Sequence, residues 1–249
     1  MTRVEDVGSR RLAARSASKD DNPAAPGAAA PDEQEPGAAA RTPVEHYFSA
    51  RPASAGDDRE VRLVVDGQAV LLTSGRGVFS SDRIDPGTSV LIQHAPHPPT
   101  SGSVLDLGCG YGPIACAIAL RSPRADVLAI DVNERAVELT QTNAQRLGLD
   151  RLHAMQPERV EPTLRFAAIY SNPPIRVGKA VLHELLTTWL DRLEPSGRAY
   201  LVVHRHLGSD SLQRWLHEQS YAVERRVSVR GYRLLQVGPR PGPPSDSPG

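Results

Sequence analysis

The sequence predicts an α/β fold: a mostly parallel sheet covered by helices on both faces, ending in an antiparallel hairpin and preceded by a small β-hairpin element. Three observations predict it. After Ser101 short apolar runs alternate with amphipathic segments, the first such run ends in a glycine-rich bend, and the last two runs meet at Arg230-Gly231 without room for a crossover helix.

The elements follow in order. Residues 1–42 are rich in Ala, Pro and Gly and hold too few large apolar groups to offset the entropy of ordering, so a disordered tail is expected there, and 239–249 reads the same way. Residues 43–100 are expected to form a small β element and a linking helix, and 101–238 the main domain. Val61–Val65 and Ala69–Thr73 are β-prone runs around Asp66-Gly67, a dipeptide suited to a tight hairpin turn. Asp85-Pro-Gly-Thr88 carries helix-start chemistry ahead of Val90, Leu91 and Ile92, and Pro96, Pro98 and Pro99 end that helix. Strands are then expected at Val104–Leu107, Val127–Asp131, Phe166–Ser171, Ala199–Val203, Tyr221–Val229 and Tyr232–Val237. Helices are expected at Pro113–Arg121, Glu134–Leu147, Lys179–Leu193 and Ser209–Glu218.

Composition narrows the function classes. The 249 residues carry 29 basic and 29 acidic side chains, so the molecule is not a polycation that coats nucleic acid by charge alone, and any such contact has to be local. No stretch approaches the roughly 20 apolar residues that span a bilayer, and the amino terminus lacks the apolar run of a secretory signal. A cytoplasmic protein without membrane partners is expected, its oligomeric state left open. Cys109 and Cys116 have no companion His/Cys cluster at zinc-ligand spacing, so two reduced thiols and no metal are expected.

The chemistry concentrates in two segments. In Val104-Leu-Asp-Leu-Gly-Cys-Gly-Tyr-Gly-Pro113, Gly108, Gly110 and Gly112 let the backbone turn sharply and approach a ligand, and Pro113 suits the first turn of the next helix. The spacing is not that of a nicotinamide-binding loop. Asp106, just upstream, offers a carboxylate to an ammonium group, and Asp131, at the end of the next strand, offers one to ribose hydroxyls. Together they describe a nucleoside with an amino-acid tail. Cys109 reads as a small filler between glycines and Cys116 as core.

The second segment is Ser171-Asn-Pro-Pro-Ile175, where two prolines end a strand and keep nearby carbonyls out of a helix ladder. The Asn172 side-chain oxygen and the Pro173 carbonyl are placed to accept the hydrogens of a planar exocyclic amine. Such bonds localise the nitrogen lone pair, which is catalysis by positioning and electrostatics. Taken alone, a Pro-Pro turn at a strand end is also a plain structural feature.

Asp106-Leu-Gly-Cys-Gly-Tyr-Gly112, Asp131-Val-Asn133 and Ser171-Asn-Pro-Pro-Ile175 together resemble the class I S-adenosylmethionine-dependent methyltransferases, in their amino-methylating branch. His46-Tyr-Phe-Ser49, Gly77-Val-Phe-Ser-Ser-Asp-Arg-Ile-Asp85, Asn172–Lys179 and Leu207-Gly-Ser-Asp-Ser-Leu212 are similar to the small-subunit ribosomal RNA guanine-N2 methyltransferase family, over roughly His46 to Val237. The resemblance implies a Rossmann-like seven-stranded sheet with a reversed last strand. It implies S-adenosyl-L-methionine held by Asp106, Gly108, Cys109, Gly110, Gly112, Asp131, Val132 and Asn172, and a catalytic segment of Asn172, Pro173, Pro174 and Ile175. Ribosomal RNA or the small ribosomal subunit is the implied partner.

Departures from the family pattern are visible. Ile175 stands where many relatives carry an aromatic residue to stack on a flipped base, which leaves Phe79 as the stacking candidate. Ala167 replaces an Asp, and Leu152–Glu158 offers only Glu158 as an acid toward adenine. The second, degenerate domain of the long form is not expected in a chain this compact. Between Arg176 and Arg240 eleven Lys/Arg face six Asp/Glu, and Arg176 and Lys179 are the candidates for phosphate positioning. His204 and His206 read as surface histidines. Transfer to guanine N2 is the leading reading. A protein-glutamine or adenine-N6 methyltransferase and a non-catalytic cofactor- or RNA-binding scaffold are its alternatives.

Overall fold

The computed structural model describes residues 58–241. The tail expected over 1–42, the His46–Ser49 motif and the last eight residues lie outside the described residues. β1 (Arg59–Val65) and β2 (Gln68–Ser74) pair antiparallel, from Arg59 opposite Ser74 to Val65 opposite Gln68. Asp66 and Gly67 both adopt positive φ, 50° and 83°, the pair of values a two-residue hairpin turn needs to match strand twist. α1 (Pro86–His94) follows, capped by the Asp85 side chain, which accepts from the Thr88 N–H.

The main sheet alternates strands and helices: β3 (Gly102–Leu107), α2 (Pro113–Arg121), β4 (Ala125–Ile130), α3 (Glu134–Arg146), β5 (Leu152–Met155), β6 (Phe166–Ser171), α4 (Lys179–Leu190), β7 (Leu193–His204), α5 (Ser209–Glu218), β8 (Val223–Val229) and β9 (Tyr232–Val237). Strand order is β5-β4-β3-β6-β7-β9-β8, with β9 antiparallel to both β7 and β8. The chain leaves β3 in one direction for β4 and β5, then returns to lay β6 on the other side of β3. That reversal opens a crevice at the carboxyl ends of β3, β4 and β6, where open α/β sheets bind ligands.

The structure adds one strand to those expected from the sequence and moves several element ends, among them the start of β8, at Val223 rather than Tyr221. β5 has only four residues, Leu-His-Ala-Met, too short for a periodic pattern, and it forms because Leu152 to Met155 find partners at Val127 to Ile130 on β4. α4 stops at Leu190, three residues short of the expected Leu193, because Leu193 is drawn into β7 opposite Phe166. Arg192 fixes that exit: its Nε donates to the Leu164 carbonyl at 3.1 Å, and its guanidinium lies over the Phe166 and Trp189 rings.

Each face of the sheet carries its own apolar layer. On one, Val104, Ala129, Ala168 and Val202 meet α1, α2 and α3; on the other, Leu105, Ile130, Ile169 and Leu201 meet Leu182, Leu186 and Leu216. The amino-terminal hairpin belongs to the first layer, through Val61, Leu63, Val65 and Leu72. A buried polar clamp reinforces it. Asn143 of α3 donates through Nδ2 to the carbonyls of Thr73 (2.8 Å) and Tyr111 (2.9 Å) and accepts the Thr73 N–H at 2.6 Å.

One fully buried amide therefore ties β2 to the loop that follows β3. Asn143→Leu leaves three buried backbone groups without partners, each costing about 1–3 kcal/mol. Chemical denaturation of this variant is expected to show a loss of at least about 2 kcal/mol, and a loss below about 0.5 kcal/mol contradicts the clamp.

Candidate active site

The crevice at the switch point is a cleft of about 1280 Å³, counted out to open solvent. Its floor is the glycine-rich bend after β3. Gly108 and Gly110 take positive φ of 77° and 58°, and a Cβ built on either meets nothing within 4 Å, so the backbone there presents bare peptide edges to open space. Gly112 serves the fold instead, since a Cβ on it runs into Thr140 of α3 at 2.8 Å.

Asp131, at the tip of β4, is preset toward this space. Its Oδ2 accepts from the Gly110 N–H at 3.0 Å and its Oδ1 from the Asn133 N–H at 3.0 Å. Burial holds its carboxyl above the usual range while those backbone bonds pull the other way. Beside it Val132, Ile130 and Pro157 form apolar walls, the surroundings a flat purine needs. Glu158 is exposed and does not line the cleft; its neighbour Pro157 does.

Asp106 is not in the wall of the cleft. It is wholly buried beneath the bend, where Oδ2 accepts from the Ala115 N–H of α2 at 2.9 Å and Oδ1 has no partner among the described residues. It lies under the ligand space and anchors a helix start. Desolvation, opposed by that backbone bond and reinforced by the nearby Asp131 charge, pushes its carboxyl up to about 8. Cys109 lines the cleft, but burial drives its thiol well above the ordinary range, and the Thr140 hydroxyl donates to its sulfur at 3.6 Å. Cys116 is core, its thiol raised by burial to about 12.

The other end of the cleft is the tip of β6. Asn172 and Pro174 face it; Pro173, Ile175, Arg176 and Lys179 do not. Pro174 has φ −74° and ψ 74°, an inverse γ-turn in which the Ile175 N–H donates to the Pro173 carbonyl at 2.8 Å. That carbonyl, expected to be wholly free, keeps one lone pair. Ile175 turns into the apolar layer beneath α4, while Arg176 and Lys179 are exposed at the start of that helix. Phe79, from the loop between β2 and α1, does line the cleft and is 56% exposed. His204 packs against the edge of Tyr232 and His206 is exposed, both away from the cleft.

Sequence reasoning missed the partners that set Asn172. Its Nδ2 donates to Asp85 Oδ1 at 2.7 Å and to the Thr88 hydroxyl at 3.1 Å. A carboxylate only accepts, so the amide nitrogen has to face it, and both amide hydrogens are then used. The Asn172 oxygen is left as an acceptor with no partner among the described residues. Asp85 was legible as a helix cap and as the end of the Gly77–Asp85 motif, and Thr88 as part of the same helix start, but nothing in one dimension links them to Asn172, 87 and 84 positions away.

These features fit S-adenosylmethionine: a bare glycine bend with open space above it, a preset carboxylate for the ribose diol, and apolar walls for the base. Among the described residues there is no cluster of His, Cys, Asp or Glu that could hold a metal ion, and no helix long and apolar enough to cross a membrane.

The burial of Asp106 carries a pH signature. Its native carboxyl holds a proton up to about 8, whereas an unfolded one releases it near 3.9, so rising pH favours the unfolded chain throughout that window. Asp106→Asn keeps an oxygen for the Ala115 N–H and removes the titration. The Tm of this variant relative to the parent is expected to climb between about pH 5 and pH 8, and a difference independent of pH contradicts the assignment.

Comparison with known proteins places this geometry. Residues 69–236 match the family model of the methyltransferase small domain. The chain is 33% identical over 196 residues to the uncharacterized protein YbxB of Bacillus subtilis, covering 78% of this chain and 98% of that one. It is 30% identical over 153 residues to ribosomal RNA small subunit methyltransferase C of Shewanella loihica, covering 59% of this chain and 44% of that one. Among solved structures, the T. thermophilus 16S rRNA N2 G1207 methyltransferase (RsmC) in complex with AdoMet and guanosine superposes with a TM-score of 0.62 at 24% identity, over 76% of this chain and 52% of that chain. The chain thus spans about half the length of the two named rRNA methyltransferases and nearly all of YbxB. With the motifs and the cleft, these matches make it a member of the methyltransferase small-domain family, a class I S-adenosylmethionine-dependent methyltransferase.

Proposed function

We propose that this enzyme methylates the exocyclic N2 amine of a guanine in small-subunit ribosomal RNA. The observation that carries the reading is the oriented Asn172 amide: an acceptor oxygen fixed at the strand tip, across the cleft from the glycine bend. The similarity to proteins named as rRNA methyltransferases supports RNA as the substrate class.

The backbone at Gly108–Gly110 and the carboxylate of Asp131 would hold the cofactor, with Val132 and Pro157 against its base. When bound, S-adenosylmethionine supplies an electrophilic methyl group on a sulfonium. The protein's own part is to prepare the amine. Asn172 Oδ1, the acceptor that faces the cleft, accepts one N–H of the amine. A ring-conjugated amine is a poor nucleophile because its lone pair is delocalised, and an acceptor that draws an N–H out of the ring plane favours the pyramidal form in which that pair is localised. No strong base is needed, since the amine becomes acidic as it gains the methyl and its proton passes to water. Phe79, exposed at the mouth, offers a face on which an extruded base can stack.

Two substitutions separate binding from turnover. Asn172→Ala is expected to keep cofactor affinity within about threefold while turnover falls on the order of 10²–10³, the loss typical of removing one preorganised hydrogen-bonding group. Full turnover contradicts the role given to Asn172. Asp131→Ala is expected to weaken cofactor binding by about 10- to 100-fold in calorimetry, and unchanged affinity removes Asp131 from the ribose site. Tritiated cofactor offered with small ribosomal subunits, naked ribosomal RNA or release-factor protein tests the substrate itself. Label in N2-methylguanosine is the expected result; label in glutamine or N6-methyladenosine, or in nothing, overturns the reading.

A further inference from the structure

Asp85 does more than the transfer step requires of it. Its Oδ1 accepts from the Thr88 N–H at 3.0 Å and from Asn172 Nδ2 at 2.7 Å, so that oxygen is committed to the fold and to the orientation of the amide. Its Oδ2 has no hydrogen-bond partner among the described residues, and Asp85 lines the same cleft as Asn172. Its negative charge also reaches the neighbouring phenols: after burial, it is what holds the Tyr111 and Tyr232 hydroxyls above their ordinary range, and Tyr111 lines the cleft as well. Two acceptors thus belong to the same cleft, the Asn172 oxygen and a carboxylate bonded to the nitrogen of the same amide at 2.7 Å.

We infer that Asp85 selects the substrate base by accepting the guanine N1–H while Asn172 accepts the adjacent N2–H; the inference rests on the guanine reading above. The chemistry of the edges decides it. Guanine carries two donors in a row, N2–H and N1–H. Adenine sets an amine beside the N1 lone pair, cytosine an amine beside the N3 lone pair, and a glutamine side chain an amide nitrogen beside its carbonyl oxygen. Each of these three presents an acceptor to a carboxylate, which repels it and leaves both groups desolvated and unpaired. A site built to bond a particular hydrogen rejects analogues lacking it far more strongly than a site shaped only by size. The carboxylate that turns the Asn172 amide toward the substrate is therefore also the group that reads which base has arrived.

The probe is 2-aminopurine, which keeps the 2-amine but lacks O6 and carries a lone pair in place of N1–H, so the ratio between wild type and Asp85→Asn is the quantity that reports on N1. Full-chain protein saturated with S-adenosylhomocysteine is titrated with single-stranded RNA oligonucleotides identical except for one guanine or one 2-aminopurine, and methyl transfer from tritiated cofactor is measured on the same pair. The wild type is expected to favour guanine by about 10- to 100-fold in binding, the worth of one buried hydrogen bond, and by at least as much in transfer. In Asp85→Asn the carboxamide oxygen can keep the bonds from Thr88 and Asn172, and a donor replaces Oδ2. This variant is expected to lose the preference or reverse it, with unchanged cofactor affinity reporting an intact fold. A merely structural role for Asp85 lowers both substrates alike and leaves their ratio unmoved, which overturns the inference, as does a wild type indifferent to the two bases. Guanine methylated with 2-aminopurine accepted equally leaves the guanine reading standing and sinks only the role of Asp85. Absence of transfer to guanine in either oligonucleotides or ribosomal subunits sinks both.

Discussion

The side-chain nitrogen of Asn172 sits between the Asp85 carboxylate and the Thr88 hydroxyl, and both of its hydrogens are spent there. An asparagine at a strand tip is otherwise free to rotate and to present either end of its amide. Here a group that can only accept fixes the nitrogen, so the oxygen has a single direction left. The strand that carries Asn172 and the helix start that carries Asp85 and Thr88 come from distant parts of the chain. The start of α1 is therefore a structural part of the site, because it delivers the residues that orient it.

The cofactor end depends on a different constraint. Reversal of the strand order at β3 leaves a crevice that no crossover covers, and the bare bend at Gly108 and Gly110 lines its floor. Asp106 holds that bend from below through the first turn of α2, while Asn143 holds it from the side through the Tyr111 carbonyl. Both are fully buried polar groups in otherwise apolar surroundings. They make the loop rigid without occupying the space above it, and rigidity there is what lets Asp131 stay preset before any ligand arrives.

Much of this was legible in one dimension. The alternation of apolar runs and amphipathic helices reached the right fold class, and Asp66-Gly67 and Arg230-Gly231 marked both hairpin turns because such turns require residues that tolerate positive φ. The glycine bend, Asp131 and Asn172 stood out because ligand-facing backbone and strand-tip polar groups violate the pattern of a buried sheet. What stayed hidden was pairwise. Asn143 lies on the buried face of α3 with Leu139 and Thr140, a polar residue at a core position that signals a buried partner without naming it. Asp106, read as a ligand contact, is an internal anchor, a difference of depth that no spacing encodes. Pro173 and Ile175 shared a motif with Asn172, yet the γ-turn rotates them away from the cleft.

A crystal structure of the ternary complex with S-adenosylhomocysteine and guanosine, at a resolution that distinguishes the two ends of an amide, is the most direct measurement. It is expected to place the guanine N2 within hydrogen-bond distance of Asn172 Oδ1, with Nδ2 still turned to Asp85 and Thr88. An Asn172 amide turned the other way, or a guanine whose amine lies away from the β6 tip, contradicts the orientation on which the site is built.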